Sequence, residues 1–135
     1  MQTTGLPVID RRESWPRRRR LYDDILTRDG AFALVARMDG RAVGYAIADE
    51  RLGPDDTWPT SDRIGEIHSL VVLREARGLG IGTALLDAAE ARLYADGAAT
   101  VLLEVVVGNE SARDFYARRG MVTTLTTMLR IGPRQ

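Results

Sequence analysis

The amino-acid sequence predicts an α/β (α+β) fold, with a mixed and mainly antiparallel central sheet that includes a parallel strand pair and has helices on both faces. Three observations predict it. A hairpin signal at Asp39-Gly40 separates two strand-like runs, a strand, glycine-rich turn and helix follow one another from Glu66, and Thr100–Val107 is almost wholly apolar. A hairpin joins antiparallel strands, whereas a helix between two strands makes them parallel. At 135 residues we expect a single domain over residues 1–135.

The first element is predicted to be a helix. Residues Met1–Arg12 show no strong period and are interpreted as a mobile start or a short edge strand. Ser14 suits an N-cap, Pro16 suits the first turn, and Arg17–Thr27 continues the helix until Gly30 ends it. The helix residues expected to face the core are Leu21, Ile25 and Leu26.

An antiparallel strand pair is predicted next. Ala31–Arg37 and Ala42–Asp49 have strand composition. The dipeptide Asp39-Gly40 between them is typical of a two-residue hairpin turn. The two runs are therefore expected to be neighbours in the sheet.

The connection Arg51–Arg63 is predicted to be a loop, since it is rich in Gly, Pro and Asp. Connections of this length inside a compact domain are often functional. The side chains of Trp58, Asp55 and Asp56 could therefore line a pocket for a cationic, partly apolar substrate. An equally good interpretation is that Trp58 only anchors the loop to the core.

A strand, a helix and a second strand form the following unit. Ile64–Leu73 leads into the glycine-rich turn, and Gly82–Tyr94 is amphipathic until Gly97 breaks the helix. The apolar run Thr100–Val107 is expected to be a central strand, buried on both faces and parallel to the strand before the helix. The helix residues expected to face the core are Ile81, Leu85, Leu86, Ala88, Ala89 and Leu93.

The last third of the chain predicts one more helix and then strands. Asn109 suits an N-cap, Glu110 suits the first turn, and Gly120 marks the C-terminal end. Val122–Ile131 is rich in Thr and apolar residues, so it is predicted to form one or two final strands.

Composition and charge restrict the classes of function. The fractions of apolar and charged residues, 44% and 28%, are those of an ordinary globular protein, and the formal net charge is zero. A run of roughly eighteen apolar residues is absent from the sequence, as is a charged-then-apolar leader, so a cytoplasmic location is expected. The lack of Cys excludes a disulfide, a thiolate metal site and a cysteine nucleophile.

One local feature departs from this neutral balance. Six arginines fall in a short window, at Arg11, Arg12, Arg17, Arg18, Arg19 and Arg20. A basic run of this kind can bind phosphates. Acidic neighbours dilute it, at Asp10, Glu13, Asp23 and Asp24. A solvated helix face is therefore favoured over a nucleic-acid patch.

Glycines at alternate positions, Gly78, Gly80 and Gly82, precede the predicted second helix. Glycine lets the backbone approach a ligand closely, and a helix N-terminus presents unpaired N–H groups and the positive end of its dipole. The turn is therefore predicted to bind an anion, and a pyrophosphate fits best. A dinucleotide fingerprint matches imperfectly, since Thr83 stands where its third glycine belongs, and a Walker A loop is excluded because the chain has no Lys.

Two motifs together resemble the GNAT superfamily of N-acetyltransferases. The first is the acyl-CoA signature Arg/Gln-x-x-Gly-x-Gly/Ala, preceded by a Leu-x-Val strand end. Its matching residues are Leu70, Val72, Arg77, Gly80 and Gly82. The second, Asn-x-x-Ala-x-x-Phe-Tyr-x-x-x-Gly-Phe, is similar to residues 109–121, with Met121 in place of the last Phe. The resemblance covers most of the chain from Ala31 onward, whereas residues 1–30 are short for the family.

The resemblance implies a GNAT-like sheet whose parallel pair is splayed in the middle, and acetyl-CoA as co-substrate without a metal. Backbone groups of the turn would hold the pyrophosphate, and the strand end would pair with the pantetheine arm as an added strand. Asn109 and Ser111 would hydrogen-bond CoA or cap the helix. The residues expected to bind CoA are Leu70, Val71, Val72, Arg77, Gly78, Leu79, Gly80, Ile81, Gly82, Thr83, Asn109, Ser111 and Tyr116.

Attack of an amine on the thioester needs a base for the ammonium and an acid for the departing thiolate. Glu66 and His68 are two apart on one strand, so their side chains are expected on the same face, about 6 to 7 Å apart. Either residue, or a water, could be the base. The resemblance gives Tyr116 the role of acid, and a phenol with a pKa of about 10 is protonated at neutral pH. Each residue also has a structural interpretation, His68 as a hydrogen-bonding strand residue and Tyr116 as a core aromatic beside Phe115.

The expected function is acetyl-CoA-dependent N-acetylation of a primary amine, on a small molecule or a protein, by direct attack in a ternary complex. The alternative is a catalytically inactive acyl-CoA-binding module, in which the short N-terminal part leaves no acceptor pocket. A third hypothesis is a nucleic-acid-associated protein that uses the arginine-rich helix. Neither nucleic acid nor membrane is the expected partner, and exposed C-terminal strands would offer a surface for a homodimer.

Overall fold

The computed structural model describes residues 11–52, 63–105, 108–124 and 126–133. The chain divides into two compact units, Pro7–Glu104 and a smaller unit that includes Val105–Gln135. The larger unit contains the sheet and two helices, and the smaller one contains the last helix. Within the described ranges, no helix combines the length and the apolar character that crossing a membrane requires.

The first helix, α1, spans Arg11–Leu26 and so begins earlier than predicted. Ser14 lies inside the helix, and the prediction that it is the N-cap is wrong. Pro16 is also internal. Proline lacks the backbone N–H and clashes with the preceding turn, so it is more common in the first turn of a helix than in its interior. For this reason the sequence placed the start of the helix too close to Pro16. The predicted edge strand or mobile start, Met1–Arg12, lies outside the described residues apart from its last two.

Helix α1 packs along a narrow line rather than the broader stripe that the sequence predicts. Ile25 is buried, at 1% exposure, as predicted. Leu21 and Leu26 are 51% and 40% exposed, so the prediction that they face the core is wrong. The reason is geometric, because the contact of α1 with the sheet runs through Ile25 and through Tyr22, which lies against Tyr45.

Two strands form the predicted hairpin, β1 over Phe32–Met38 and β2 over Arg41–Leu52. The turn residues Asp39 and Gly40 both have positive φ, 50° and 78°. That conformation matches the right-handed twist of the flanking strands, so the hairpin signal is confirmed. Strand β2 runs further than predicted, since the first residues of the expected loop belong to it.

The sheet is completed by β3 over Arg63–Val72 and β4 over Thr100–Leu103, in the order β1-β2-β3-β4. Strand β3 is antiparallel to β2 and parallel to β4, which confirms a mixed sheet with a parallel pair. Strand β4 is shorter than the predicted run, and its residues are only half-buried. The expectation of burial on both faces is therefore wrong, because an apolar run alone does not distinguish a fully covered strand from one at the edge of the described sheet.

A β-bulge interrupts the pairing of β2 with β3. His68 of β3 has no paired residue in β2. A bulge of this kind bends its strand and disrupts the ladder locally. The paired residues around it are Ile47 with Ser69 on one side, and Ala48 with Ile67 and Asp49 with Glu66 on the other.

Helices of the larger unit cover both faces of the sheet. Helix α2, over Ile81–Ala95, covers the first face, since a Cβ built on Gly44 would meet Leu85 Cδ1 at 3.1 Å. Helix α1 lies on the second face, where the rings of Tyr22 and Tyr45 meet edge to face with centroids 6.5 Å apart. Gly44 and Tyr45 are neighbours in β2 and so point to opposite faces. The prediction of helices on both faces is confirmed.

The core lies between the sheet and α2. The buried residues of α2 are Leu85, Leu86, Ala89 and Leu93, all of them predicted. Ala88 is exposed, which corrects its predicted place in the stripe. A helix that packs on a single sheet buries one stripe, and Ala88 lies beside that stripe.

The smaller unit contains helix α3, over Glu110–Arg118. The Asn109 side chain accepts a hydrogen bond from the Ala112 amide at 3.2 Å, which confirms the predicted N-cap. Gly120 follows the helix with φ of 87°, as expected for a C-terminal glycine. Residues 122–124 and 126–131 form no strand, so the predicted final strands are wrong for these residues. The β propensity of Thr and apolar residues stabilises a strand only where a partner strand pairs with it.

Candidate functional site

The glycine turn between β3 and α2 adopts a backbone that only glycine enters readily. Gly78 and Gly80 have φ of 80° and 82°, in the left-handed region. A Cβ on either residue would meet no heavy atom within 4 Å, so the turn is open rather than packed. Leu79 between them is 61% exposed. The side chains of the turn therefore leave its backbone accessible to a ligand.

Helix α2 begins directly after this turn. Its N-cap, Gly80, supplies no side-chain hydrogen bond, and the first turn has no acidic residue. The helical ladder starts where the Ala84 amide donates to the Gly80 carbonyl at 3.0 Å. The earlier amides, including those of Ile81 and Gly82, have no acceptor within the helix. Such amides and the helix dipole attract an anion, which is the geometry that the sequence predicts here.

Arg77 connects the glycine turn to the strand before it. Its Nε donates a hydrogen bond to the Val72 carbonyl at 3.2 Å. Between these residues, Arg74–Ala76 forms a short 3₁₀ helix. Glu75 in that helix pairs with Arg41 of β2 at 3.0 Å. The segment that leads into the turn is thus held by two exposed side-chain contacts, one from Arg77 to β3 and one from Glu75 to β2.

Strand β3 extends past its parallel partner. The parallel pairing ends at Ile67 and Leu103, whereas β3 continues to Val72. The Leu73 amide donates to β2 at 2.8 Å, so by alternation the main-chain groups of Leu70 and Val72 point away from β2. Among the residues that the structure describes, no strand pairs with that side of β3 beyond Ile67. This edge can accept an extended ligand as an added strand.

Glu66 and His68, the predicted base candidates, are brought together. His68 Nδ1 lies 3.5 Å from Glu66 Oε2, so both side chains occupy one face as predicted. The side chain of His68 is 17% exposed and that of Glu66 is 20% exposed. Both side chains are therefore mostly covered but keep some contact with solvent.

On the other side of the imidazole lies a carboxylate that the sequence reasoning missed. Asp49 Oδ1 is 2.6 Å from His68 Nε2. An ionised carboxylate only accepts hydrogen bonds, so Nε2 donates to it. In the neutral ring the other nitrogen, Nδ1, then carries the lone pair, on the side of Glu66.

Asp49 has a second partner. Its Oδ2 accepts a hydrogen bond from Arg28 Nη1 at 3.1 Å, and Arg28 Nη2 donates to Asp24 at the same distance. The hydrogen bonds that Arg28 donates to Asp24 and Asp49 raise the pKa of its guanidinium, which stays charged. The Asp49 side chain is 4% exposed, and a carboxylate buried to that degree needs such partners.

One sequence signal could have pointed to Asp49. It stands where the continuous apolar run of the predicted strand Ala42–Asp49 stops. The register that brings it to the imidazole depends on the bulge at His68, and no local residue pattern predicts that bulge.

A cavity of about 460 Å³ lies between α1 and the sheet. Its lining is mainly apolar and aromatic, and includes Trp15, Arg19, Tyr22, Asp23, Tyr45 and Ile47. Tyr45, Ile47 and Asp49 alternate along β2 and therefore point to one face. The cavity and the contact between Asp49 and His68 share that face of the sheet.

Tyr116, the predicted acid, lies in α3 of the smaller unit. Its ring packs edge to face on Phe115, with centroids 5.2 Å apart and an angle of 73° between the planes. Burial raises the pKa of Tyr116 above its ordinary value of 10.0, so the phenol is protonated at neutral pH. Both the packing role and the proton-donor role are compatible with this environment.

The remaining predicted site residues divide into two groups. Asn109 caps α3, and Ser111 lies exposed in the first turn of that helix. The loop residues proposed as a pocket lining, Asp55, Asp56 and Trp58, lie outside the described residues.

The family model of the acetyltransferase (GNAT) family matches residues 4–121 of this chain. Two curated relatives are similar in sequence. An uncharacterised N-acetyltransferase from Methanocaldococcus jannaschii is 42% identical over 87 residues, which cover 64% of this chain and 49% of the relative. An N-alpha-acetyltransferase from Sulfurisphaera tokodaii is 39% identical over 89 residues, which cover 64% of this chain and 53% of the relative. The chain thus spans about half the length of these relatives.

A solved structure shows the same fold. The aminoglycoside N-acetyltransferase AAC(6')-Iy, in complex with CoA, superimposes with a TM-score of 0.73 and 22% sequence identity. The match covers 90% of this chain and 92% of that one.

Proposed function

Because the chain belongs to the acetyltransferase (GNAT) family, we propose that it transfers an acetyl group from acetyl-CoA to a primary amine of a small molecule or a protein. The attack is direct, within a ternary complex. One observation carries the proposal, the open glycine turn at the N-terminus of α2, next to a strand whose end has an unpaired edge in the described sheet. The names of the relatives, an N-acetyltransferase and an N-alpha-acetyltransferase, support it.

CoA binding uses the backbone of this region. The amides from Gly78 to Thr83 hold the pyrophosphate, helped by the dipole of α2. The pantetheine arm adds to β3 along Leu70–Val72, where main-chain groups point away from β2. This arrangement directs the thioester along β3 toward its bulge, where His68 lies.

The base acts at the far end of that path. His68 Nδ1 and Glu66 Oε2 lie 3.5 Å apart, so one ammonium group can donate hydrogen bonds to both. One of the two accepts a proton from the ammonium, directly or through a water, and leaves a nucleophilic amine. The amine nitrogen then attacks the thioester carbonyl carbon and loses a second proton to water, and the C–S bond breaks to leave an amide and the CoA thiolate.

Tyr116 is the proposed acid. It protonates the departing thiolate. The ordinary pKa of the corresponding thiol, about 8.5, is lower than that of a phenol, about 10. Its position in the second motif and its burial support this role, since burial keeps the phenol protonated. A phenol that stays neutral at working pH can donate in every turnover.

The cavity between α1 and the sheet is the proposed site for the rest of the acceptor. Its aromatic and aliphatic lining suits an amine with an apolar or aromatic group. A polyhydroxylated acceptor would leave hydroxyl groups unpaired against that lining, at a cost in free energy for each one. We therefore expect apolar amines to be better acceptors than aminoglycosides.

The test is release of CoA thiol from acetyl-CoA with a panel of amines. The panel contains arylalkylamines, polyamines, amino acids, peptide N-termini and aminoglycosides. We expect turnover that depends on the amine and is highest for apolar acceptors. Binding of CoA in calorimetry without thiol release for any amine would favour the alternative, an inactive CoA-binding module.

A further inference from the structure

We propose that Asp49 is a positioning residue, which holds the imidazole of His68 in the tautomer and orientation that present Nδ1 to the amine substrate. This inference rests on the proposed acetyl transfer. It adds a residue that neither the two motifs nor the predicted base pair includes.

Both oxygens of Asp49 are occupied, and this limits how the carboxylate can move. Oδ1 accepts from His68 Nε2 at 2.6 Å, and Oδ2 accepts from Arg28 Nη1 at 3.1 Å. A rotation that improved one hydrogen bond would lengthen the other. The side chain is 4% exposed, so water does not readily replace either partner.

The orientation of the ring matters because its two nitrogens have different tasks. Asp49 keeps the proton on Nε2, which leaves the lone pair of Nδ1 on the side of Glu66. A ring with its proton on Nδ1 could not accept one from the ammonium at that position. Orientation by a buried carboxylate is a general way to fix the tautomer of a histidine base.

A purely structural role is the competing explanation. In that case Asp49 joins α1 to the sheet through Arg28, and His68 only fills the remaining hydrogen bond. The two explanations differ in what an amide at position 49 does. An amide has an oxygen in one of the two carboxylate positions and an NH₂ group in the other, so only one of Arg28 and His68 keeps its acceptor, and the charged guanidinium is the stronger donor. The NH₂ group of Asp49→Asn would then face Nε2, which must accept, so the ring proton moves to Nδ1.

Nitrogen NMR of the imidazole reads this tautomer directly. The chain contains a single His, so ¹⁵N-histidine labelling of the tag-free protein gives one ring to assign. In the wild type we expect the proton on Nε2, and in Asp49→Asn we expect it on Nδ1. Arg28→Gln breaks only the link to α1 and should keep the Nε2 proton, even where it lowers the melting temperature.

Kinetics supply the second readout. Asp49→Asn should lower kcat/KM for the amine by at least about tenfold, and by no more than His68→Gln does, because it acts through that ring. The double variant Asp49→Asn/His68→Gln should then be no slower than His68→Gln alone. The matched control is Glu50→Gln, since Glu50 pairs with Arg63 and not with the imidazole. It should change kcat/KM less than about twofold.

Two results would overturn the inference. One is an Asp49→Asn protein that keeps the proton on Nε2 and has the kinetics of Glu50→Gln. The other is a double variant whose loss equals the product of the two separate losses. A wild-type protein that acetylates no amine would instead contradict the proposed function, and the ring spectra would still decide whether Asp49 sets the tautomer. If Asp49→Asn does not fold, the Arg28→Gln spectrum decides, since loss of the Nε2 proton there would assign the effect to the link with α1.

Discussion

Arg77 and Val72 are joined across the start of the glycine turn, by a hydrogen bond of 3.2 Å from the guanidinium Nε to the carbonyl oxygen. The bond links two parts of the proposed CoA site. Val72 ends the strand proposed to pair with the pantetheine arm, and Arg77 begins the turn proposed to hold the pyrophosphate. The position of one part relative to the other therefore depends on this side chain.

The first prediction concerns that link. Arg77→Met keeps much of the length of the side chain but removes the donor and the charge, so it should weaken CoA binding by roughly five- to tenfold. Isothermal titration with CoA measures the change. Arg74→Met, in the same exposed segment, is the control and should bind CoA as the wild type does. Equal losses in both variants would mean that only the general positive charge matters.

The second prediction concerns the backbone of the turn. Gly80 has φ of 82°, so Gly80→Ala forces an alanine into the left-handed region at a cost of about 1–2 kcal/mol in unfolding free energy. It should also weaken CoA binding, because the amides at the start of α2 shift. Gly40→Ala is a matched control, with φ of 78° and equally open surroundings in the hairpin. Denaturant unfolding should show similar losses, and titration should show weaker CoA binding only for Gly80→Ala.

The third prediction separates proton donation by Tyr116 from packing. Tyr116→Phe keeps the ring that contacts Phe115 and removes the hydroxyl, so kcat should fall by roughly 10- to 100-fold while the Kd for CoA stays nearly unchanged. Tyr94→Phe, on the exposed side of α2, is the control. An unchanged rate in Tyr116→Phe would assign the acid to another group.

The same residue predicts one side of the pH profile. Burial raises the pKa of Tyr116 above 10.0, so the proton-donating form is fully present below that pH and is lost only as pH rises past the raised value. Within the range of pH 7 to about 9.5, titration of this residue should therefore not reduce kcat. A decrease in kcat that is centred below pH 9 and is absent from Tyr116→Phe would contradict the direction of this shift.

The fourth prediction tests the acceptor cavity. Trp15 lines it and is 51% exposed, so Trp15→Ala should remove contact area with an apolar acceptor at little cost to the core. We expect KM for an arylalkylamine to rise roughly tenfold, and KM for a small aliphatic amine to change little. Leu21→Ala is the control, because Leu21 is equally exposed on α1 and outside the lining. A similar rise in KM for both kinds of amine would place the acceptor elsewhere.

The fold could be predicted where short-range chemistry decides it. The Asp39-Gly40 turn needs two residues with positive φ, and the cap at Asn109 needs a short side-chain acceptor, so both can be recognised from neighbouring residues alone. The start of α1 and the predicted final strands could not be recognised in this way. Helix α1 contains Pro16 in its interior, where a proline is uncommon, and strand formation depends on a partner far away in the chain.

The same distinction between local and long-range determinants applies to the candidate site. The glycine turn was predictable because its conformation is encoded in adjacent residues, and Glu66 and His68 because they lie on one strand. Asp49 belongs to a different strand, and its contact with His68 depends on the register between the two. Register is set by the whole sheet, so the residue that completes the site could only be found in three dimensions.

The bulge at His68 makes this chain sensitive to a kind of mutation that no substitution imitates. Because the register shifts by one residue at the bulge, deleting His68 would restore an uninterrupted ladder and leave every paired residue of β3 with its present partner and face. The imidazole and the local bend of the strand would be lost, whereas the apolar core residues of β3 would stay in place. Deletion of His68 should therefore abolish activity while the protein still folds, and the hairpin tip at Asp39-Gly40 should tolerate an insertion with little loss of activity.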